Sequence, residues 1–192
     1  MGSTLRKSLK TIEEYKTAHP HYTDLLDIMA DILILREEYR RKMTKPIFTV
    51  EDKLIPGKMA GGLPLIDLAG KKYDLTRPKE YFDSLIAIAE KRMPAEAGRV
   101  LDIIKHEQFD WEAIIRDSFN PAPAGEELPE IEPREAGGRE EHIDLIDLFI
   151  EESLRPELEV VAEKYGALVE KSGWTEGYCP ICGKEPKIGE IR

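Results

Sequence analysis

The sequence predicts an all-α fold, a bundle of about six helices with a short C-terminal CxxC knuckle segment. Apolar residues recur three and four positions apart over six stretches, and no run before residue 177 alternates apolar with polar as a strand does. The tail is predicted separately. Both cysteines of the 192-residue chain stand in "YCPICGKEP", residues 178–186, where prolines and glycines exclude a regular element.

Leu5, Leu9, Ile12 and Tyr15 mark the first helix, which ends at "HPH" because Pro20 pushes His19 out of the helical region. A longer helix follows from Tyr22 to about Met43. Its stripe of Leu25, Leu26, Ile28, Met29, Ile32, Leu33, Leu35 and Tyr39 is wide enough to predict a central position. Arg36, Arg40, Arg41 and Lys42 give its last turns the sign that a helix C-terminus favours. Residues 44–77 read as loop, with Leu63, Leu65, Ile66 and Leu68 expected to pin the segment to the core. "AGGLPLID" lacks the Lys-Ser/Thr of a phosphate loop. "PKEYFDSLIAIAEKRM" is helical, with Thr76 as its expected cap and Pro78 in the first turn. Pro94 opens "PAEAGRVLDIIKHE", and "FDWEAIIRDSF" makes another helix with Trp111, Ile114, Ile115 and Phe119 inward. The last helical pattern runs from Arg139 to Gly173, with Pro156 either kinking one helix or separating two.

Residues 120–138 are rich in proline and glycine and read as a mobile acidic linker. Over 120–141, seven glutamates against Arg134 and Arg139 give −5, half the formal net charge of −10. That balance argues against nucleic acid, whose phosphates call for clustered cations. No apolar run reaches the length of a membrane span, and the N-terminus has no export signal, so a cytoplasmic protein is expected. The domains expected are a helical one over 1–176, with the linker inside it, and a partial rubredoxin-like or zinc-knuckle segment over 177–192.

Cys179 and Cys182 are the candidate site, as a metal half-site. Three readings stay open on the residues. A thiol–disulfide CxxC lies at a helix N-terminus after a strand, and Gly177, Gly183, Pro186 and Gly189 argue against a helix here. A metal knuckle needs a glycine after its second cysteine so that the chain can turn back with φ > 0, and Gly183 is that residue. Two thiols without a role are the third. A tetrahedral site takes four ligands. His19, His21, His106 and His142 all lie in the helical body at no knuckle spacing. His19 and His21 read as solvated turn residues and His142 as an exposed helix-start residue. Nothing in the sequence forms a nucleophile–base pair or a nucleotide loop, so no catalytic residue is assigned and a non-enzyme is expected.

Three stretches resemble the formate dehydrogenase accessory (formation) proteins of the E type. "AHPHYTDLLDIMADILILREEYR" is similar to the turn and long second helix of that family. "GKMAGGLPLIDLAGKKYDLTRPKEYFDSLIAIAE" is similar to its G-x-P-P-L loop and following helix. "ALVEKSGWTEGYCPICGKEPKIGEI" resembles the approach to its first knuckle. The acidic linker is the main departure. The resemblance implies a helical domain followed by rubredoxin-like modules that bind iron, or zinc, in a full-length form. It also implies a cytoplasmic assembly factor that contacts the catalytic subunit of formate dehydrogenase. Cys179 and Cys182 match the first pair; the later pairs have no counterpart, so the segment looks truncated and this chain is expected to hold half a site or no metal. A homodimer in which each chain lends its pair is a further expectation. The alternatives are a thiol–disulfide redox protein using the CPIC pair, or a helical interaction domain with another client.

Overall fold

A computed structural model describes residues 2–68, 72–106, 110, 113–115 and 140–184. These residues are all-α, with no strand among them. The longer helices are α1 (Ser3–Ala18), α2 (Thr23–Lys42), α3 (Ile55–Ala60), α4 (Thr76–Arg92), α5 (Pro94–His106) and α6 (Glu140–Ser172), with 3-10 turns at Pro20–Tyr22 and Asp52–Leu54. The chain divides into two compact units. The first takes the described residues of Met1–Lys45, Leu75–Phe109 and His142–Pro156; the second takes those of Pro46–Asp74, Asp110–Glu141 and Glu157–Arg192.

In the first unit α1 packs on α2, α2 on α4 and α4 on α5. Tyr81, Phe82, Leu85 and Ile86 of α4 are buried, with Ala97 and Val100 of α5 and Phe149, Ile150 and Leu154 of α6. Phe82 and Phe149 meet edge to face with ring centroids 6.3 Å apart. Pro20 acts as the sequence predicts: His19 takes φ −135°, ψ 72°, and the chain turns through Pro20–Tyr22 into α2. Lys16 fastens that turn by donating to Asp27 at 2.7 Å. Arg92 ties the end of α4 to Asp31 at 2.9 Å.

Two expectations in this unit need correction. Helix α2 is not enclosed: Ile28 is its buried residue, while Leu25 is 55% and Met29 47% exposed. Its apolar residues extend well around the helix, and α1 and α4 do not cover the sector that carries Leu25 and Met29. Thr76 is the first helical residue of α4 and not its cap; Leu75 holds the cap position without a side-chain cap bond.

A polar cluster lies within this apolar packing. Arg36 forms a two-pronged pair with Glu152, Nε to Oε1 at 2.7 Å and an Nη to Oε2 at 2.8 Å. Tyr81 donates to the same carboxylate at 3.2 Å. Burial, reinforced by the charge of Glu152, pushes the Tyr81 phenol well above its ordinary range, so it stays a donor.

In the second unit α3 is a six-residue helix that opens with Pro56 in its first turn. It closes with a reverse turn: Leu63 N–H donates to Lys58 O at 2.8 Å and Gly62 N–H to Met59 O at 3.3 Å. Gly62 takes the left-handed φ of 64° that this closure requires. The turn corrects one expectation. Leu65, Ile66 and Leu68 are buried, whereas Leu63, at the reversal itself, is 56% exposed. Ile47 N–H donates to the buried Glu157 carboxylate at 2.8 Å, and Tyr165 donates to Asp52 at 2.7 Å. Pro156 neither splits nor ends α6, which runs unbroken from Glu140 to Ser172. Trp111, Phe119 and the 120–138 linker lie outside the described residues; Ile115 is buried as expected.

Candidate metal half-site in the cysteine knuckle

Helix α6 ends at Ser172, and Gly173 at φ 68° turns the chain away. The segment that follows is held by its own aromatic residues. Trp174 donates through Nε1 to Tyr178 O at 2.9 Å, and the two rings stand edge to face 5.5 Å apart. The Tyr178 hydroxyl donates to Gly62 O. Leu65 N–H then donates to Pro180 O at 2.9 Å and Ile66 N–H to Ile181 O at 2.8 Å. The 62–66 loop therefore forms a backbone cradle for residues 178–181, and Ile181 is buried there.

Within the cradle the chain folds back on itself. Gly183 N–H donates to Cys179 O and Cys179 N–H to Lys184 O, each at 2.8 Å. Gly183 takes φ 79°, and a Cβ on it would stand 3.1 Å from Pro64 Cγ. A glycine is required twice over, by the backbone angle and by the close approach of Pro64.

This turn directs polar hydrogens at both sulfurs. Cys179 Sγ receives the Cys182 thiol and the backbone N–H groups of Cys182 and Ile181. These donors outweigh burial and lower the Cys179 thiol from 9.0 to about 6. Cys182 moves the opposite way: donating its proton to Cys179 and being buried both push it up, while the Lys184 backbone N–H favours its thiolate. At neutral pH the pair holds one proton between two sulfurs. A metal ligand must be a thiolate, so a cation placed between these sulfurs would replace that shared proton. The donor set suits two corners of a tetrahedral site for a borderline-soft cation such as zinc or iron.

Cys179 and Cys182 are thus brought together, both half-buried and not joined by a disulfide. Among the described residues no group of three or more His, Cys, Asp or Glu could hold a metal ion. His19 and His21 lie at the α1–α2 turn, where His21 is exposed, His19 is half-buried, and their rings pack with Tyr15 and Tyr22. His106 ends α5 and His142 lies in the first turn of α6, both in the first unit. Sequence reasoning missed the supports of the knuckle: Trp174, Tyr178, Gly62 and Pro64. The spacing of Trp174 and Tyr178 just ahead of the cysteines was the available signal, whereas nothing local marks Pro64.

No protein-family model, no curated protein and no solved structure matches the chain.

Among the described residues no helix is long and apolar enough to cross a membrane.

Proposed function

We propose that the chain acts as a non-enzymatic assembly factor for a formate dehydrogenase, meeting the catalytic subunit of that enzyme in the cytoplasm before export. One observation carries the reading. Two of the three stretches that resemble the accessory family, the one that holds the Gly61–Ile66 loop and the one that holds the Tyr178–Gly183 knuckle, join through successive backbone hydrogen bonds at 2.9 and 2.8 Å. Motifs 116 residues apart serve one site. The cradle holds the thiols at the surface of their unit in a form suited to a metal or to a thiol-bearing client, and the helical unit supplies area for docking.

The test is co-expression of the tagged chain with a formate dehydrogenase catalytic subunit. Stoichiometric co-purification, reduced when the knuckle is disrupted by Gly183→Ala, is the expected result. Absence of any association would overturn the reading and leave a helical interaction domain with another client.

A second reading has its own support. A thiol lowered to about 6 is a thiolate at neutral pH, which a thiol–disulfide redox protein needs. Here the lowering comes from the partner thiol and turn amides, without the helix N-terminus that oxidoreductases use. Equilibration in glutathione buffers distinguishes the two. A reversible Cys179–Cys182 disulfide with catalytic turnover of a disulfide substrate would favour the redox protein; a disulfide without turnover would not.

A further inference from the structure

Charge is distributed unevenly along the α1–α2 hairpin. Residues 3–12 carry Arg6, Lys7 and Lys10 with no acid, and residues 39–45 carry Arg40, Arg41, Lys42 and Lys45 with none. Between them, residues 13–31 set five carboxylates against Lys16. The fold turns this pattern into a polarity. Helix α2 runs back along α1, so Gly2 N–H reaches Glu37 Oε1 at 3.2 Å and the start of α1 lies beside the last turns of α2. Arg77, in the first turn of α4, donates to Lys45 O at 2.9 Å and brings a third helix end to the same place. Arg6, Lys7, Arg41, Lys42 and Lys45 are exposed. Against them stand Glu37, Glu38 and Glu80, and Glu37 is already engaged by Arg41 at 3.1 Å.

Helix stability accounts for only part of this. Cations at the end of α2 are favoured by its dipole. The same dipole opposes cations at a helix start, yet α1 and α4 begin here with Arg6 and Arg77 in first turns that hold no acid. Neither start has a side-chain cap bond. Two uncapped helix starts and a cluster of cations thus combine into one positive surface, on a chain whose net charge is −10.

We propose that this cationic end of the α1–α2 hairpin is a docking surface for a carboxylate-rich segment of a partner protein. The inference is independent of the knuckle and of the formate dehydrogenase reading.

The extent of the surface selects that partner over longer polyanions. Helix α2 has 20 residues and is about 30 Å long, so Glu13, Glu14 and Asp24 at the turn end lie within one helix length of the cations. A nucleic-acid duplex carries a charge about every 1.7 Å, and an anionic bilayer is continuous. Either one, laid on the patch, extends to those carboxylates and is repelled. A segment with a few Asp or Glu side chains meets the cations alone. A guanidinium such as that of Arg6 can also hold a carboxylate through two parallel hydrogen bonds.

The experiment is fluorescence anisotropy of a labelled glutamate decamer titrated with the full chain. The decamer should bind at low salt, where the Debye length is about 30 Å, and weaken as it falls to about 8 Å at physiological ionic strength. Two triple variants are compared at equal net charge. Arg6→Glu with Lys7→Glu and Lys45→Glu reverses the patch, whereas Lys53→Glu with Lys91→Glu and Lys171→Glu reverses exposed lysines elsewhere. Affinity should fall at least about tenfold in the patch variant and less than about threefold in the control. Should the reversed patch disturb far-ultraviolet circular dichroism, Arg6→Gln with Lys7→Gln and Lys45→Gln takes its place and must still bind more weakly than the control. Equal losses in the two variants would overturn the inference, because net charge alone would then explain binding. So would a decamer that fails to bind at low salt. Tighter binding of a uridine decamer, or of phosphatidylserine vesicles, would overturn it in favour of a nucleic acid or a membrane.

Discussion

The two compact units are held together by different means. The first is a packing of long helices, where Leu85, Ile150 and Leu154 are fully buried and the long-range polar bonds are made by side chains such as Arg36 and Glu152. Around the knuckle, the second is held chiefly by backbone groups of segments without regular structure: Leu65 and Ile66 N–H to the 180 and 181 carbonyls, and Gly183 N–H to Cys179 O. Side-chain burial tolerates modest changes of backbone angle, whereas a backbone cradle does not. The difference teaches that the helical unit should fail by losing stability, and the knuckle by losing geometry while its surroundings stay folded.

The largest effect belongs to the buried ion pair. Arg36→Met leaves the Glu152 carboxylate in an apolar setting with Tyr81 and, at 3.4 Å, Arg155 as its remaining neighbours. A loss near the lower end of the range for breaking a buried pair, about 3 kcal/mol, is expected by urea denaturation. Removing both charges, as Arg36→Met with Glu152→Leu, should restore most of it. A double variant as unstable as the single one would show that the carboxylate's desolvation is not the cause.

Next comes Gly183→Ala. Left-handed backbone costs a residue with a Cβ about 1–2 kcal/mol, and Pro64 stands where the methyl would go. Cobalt(II) affinity, followed by thiolate-to-cobalt absorption, should fall at least about tenfold, a 1.4 kcal/mol change, with helical circular dichroism unaltered. Loss of helicity in parallel would erase the distinction between the units.

The thiols provide a smaller, graded test. In the metal-free protein the alkylation rate of Cys179 by iodoacetamide should rise through pH 6 and level off by neutrality, rather than near the ordinary ~8.5. Because folding lowers this thiol, its contribution to stability is fully present above the ordinary thiol range. It is lost as the pH falls through about 6. Cys182→Ala removes the proton that this thiol donates to Cys179 and should move the inflection upward. An unmoved inflection would assign the lowering to the turn amides alone.

The smallest effect is at the surface. Lys10 and Glu14 pair at 3.5 Å with both side chains mostly exposed. Lys10→Ala should cost no more than about 0.5 kcal/mol, and less in high salt. A larger loss would mean that the first unit depends on its surface charge more than its packing implies.

Where a signal is local, the sequence carried it. The helices at Ser3–Ala18, Thr23–Lys42, Thr76–Arg92 and Pro94–His106 follow from apolar spacing and from Pro20 and Pro94. The six-residue α3 escaped notice because it is shorter than two turns and carries Pro56 and Gly57, which read as loop. Leu63 and the exposed residues of α2 were misplaced for a related reason: hydrophobicity indicates that a residue would gain from burial, not that a neighbour arrives to bury it. In the site, Cys179, Cys182 and Gly183 were legible because the chemistry and the turn need those residue types at that spacing. Pro64 and Gly62 were not, since they act by position alone.

The sequence by itself determined the elements that form within a few residues: helices from a repeat of three and four, their ends from proline, and a reversed turn from a glycine one position after the second cysteine. Only the tertiary structure decided which distant residues complete each feature. Arg36 meets Glu152 across 116 positions, and the 62–66 loop meets the knuckle across a similar separation. The physical reason is that a local preference is fixed by neighbouring φ and ψ angles. A long-range contact exists only after the loop between its ends has closed, and that depends on everything packed along the way.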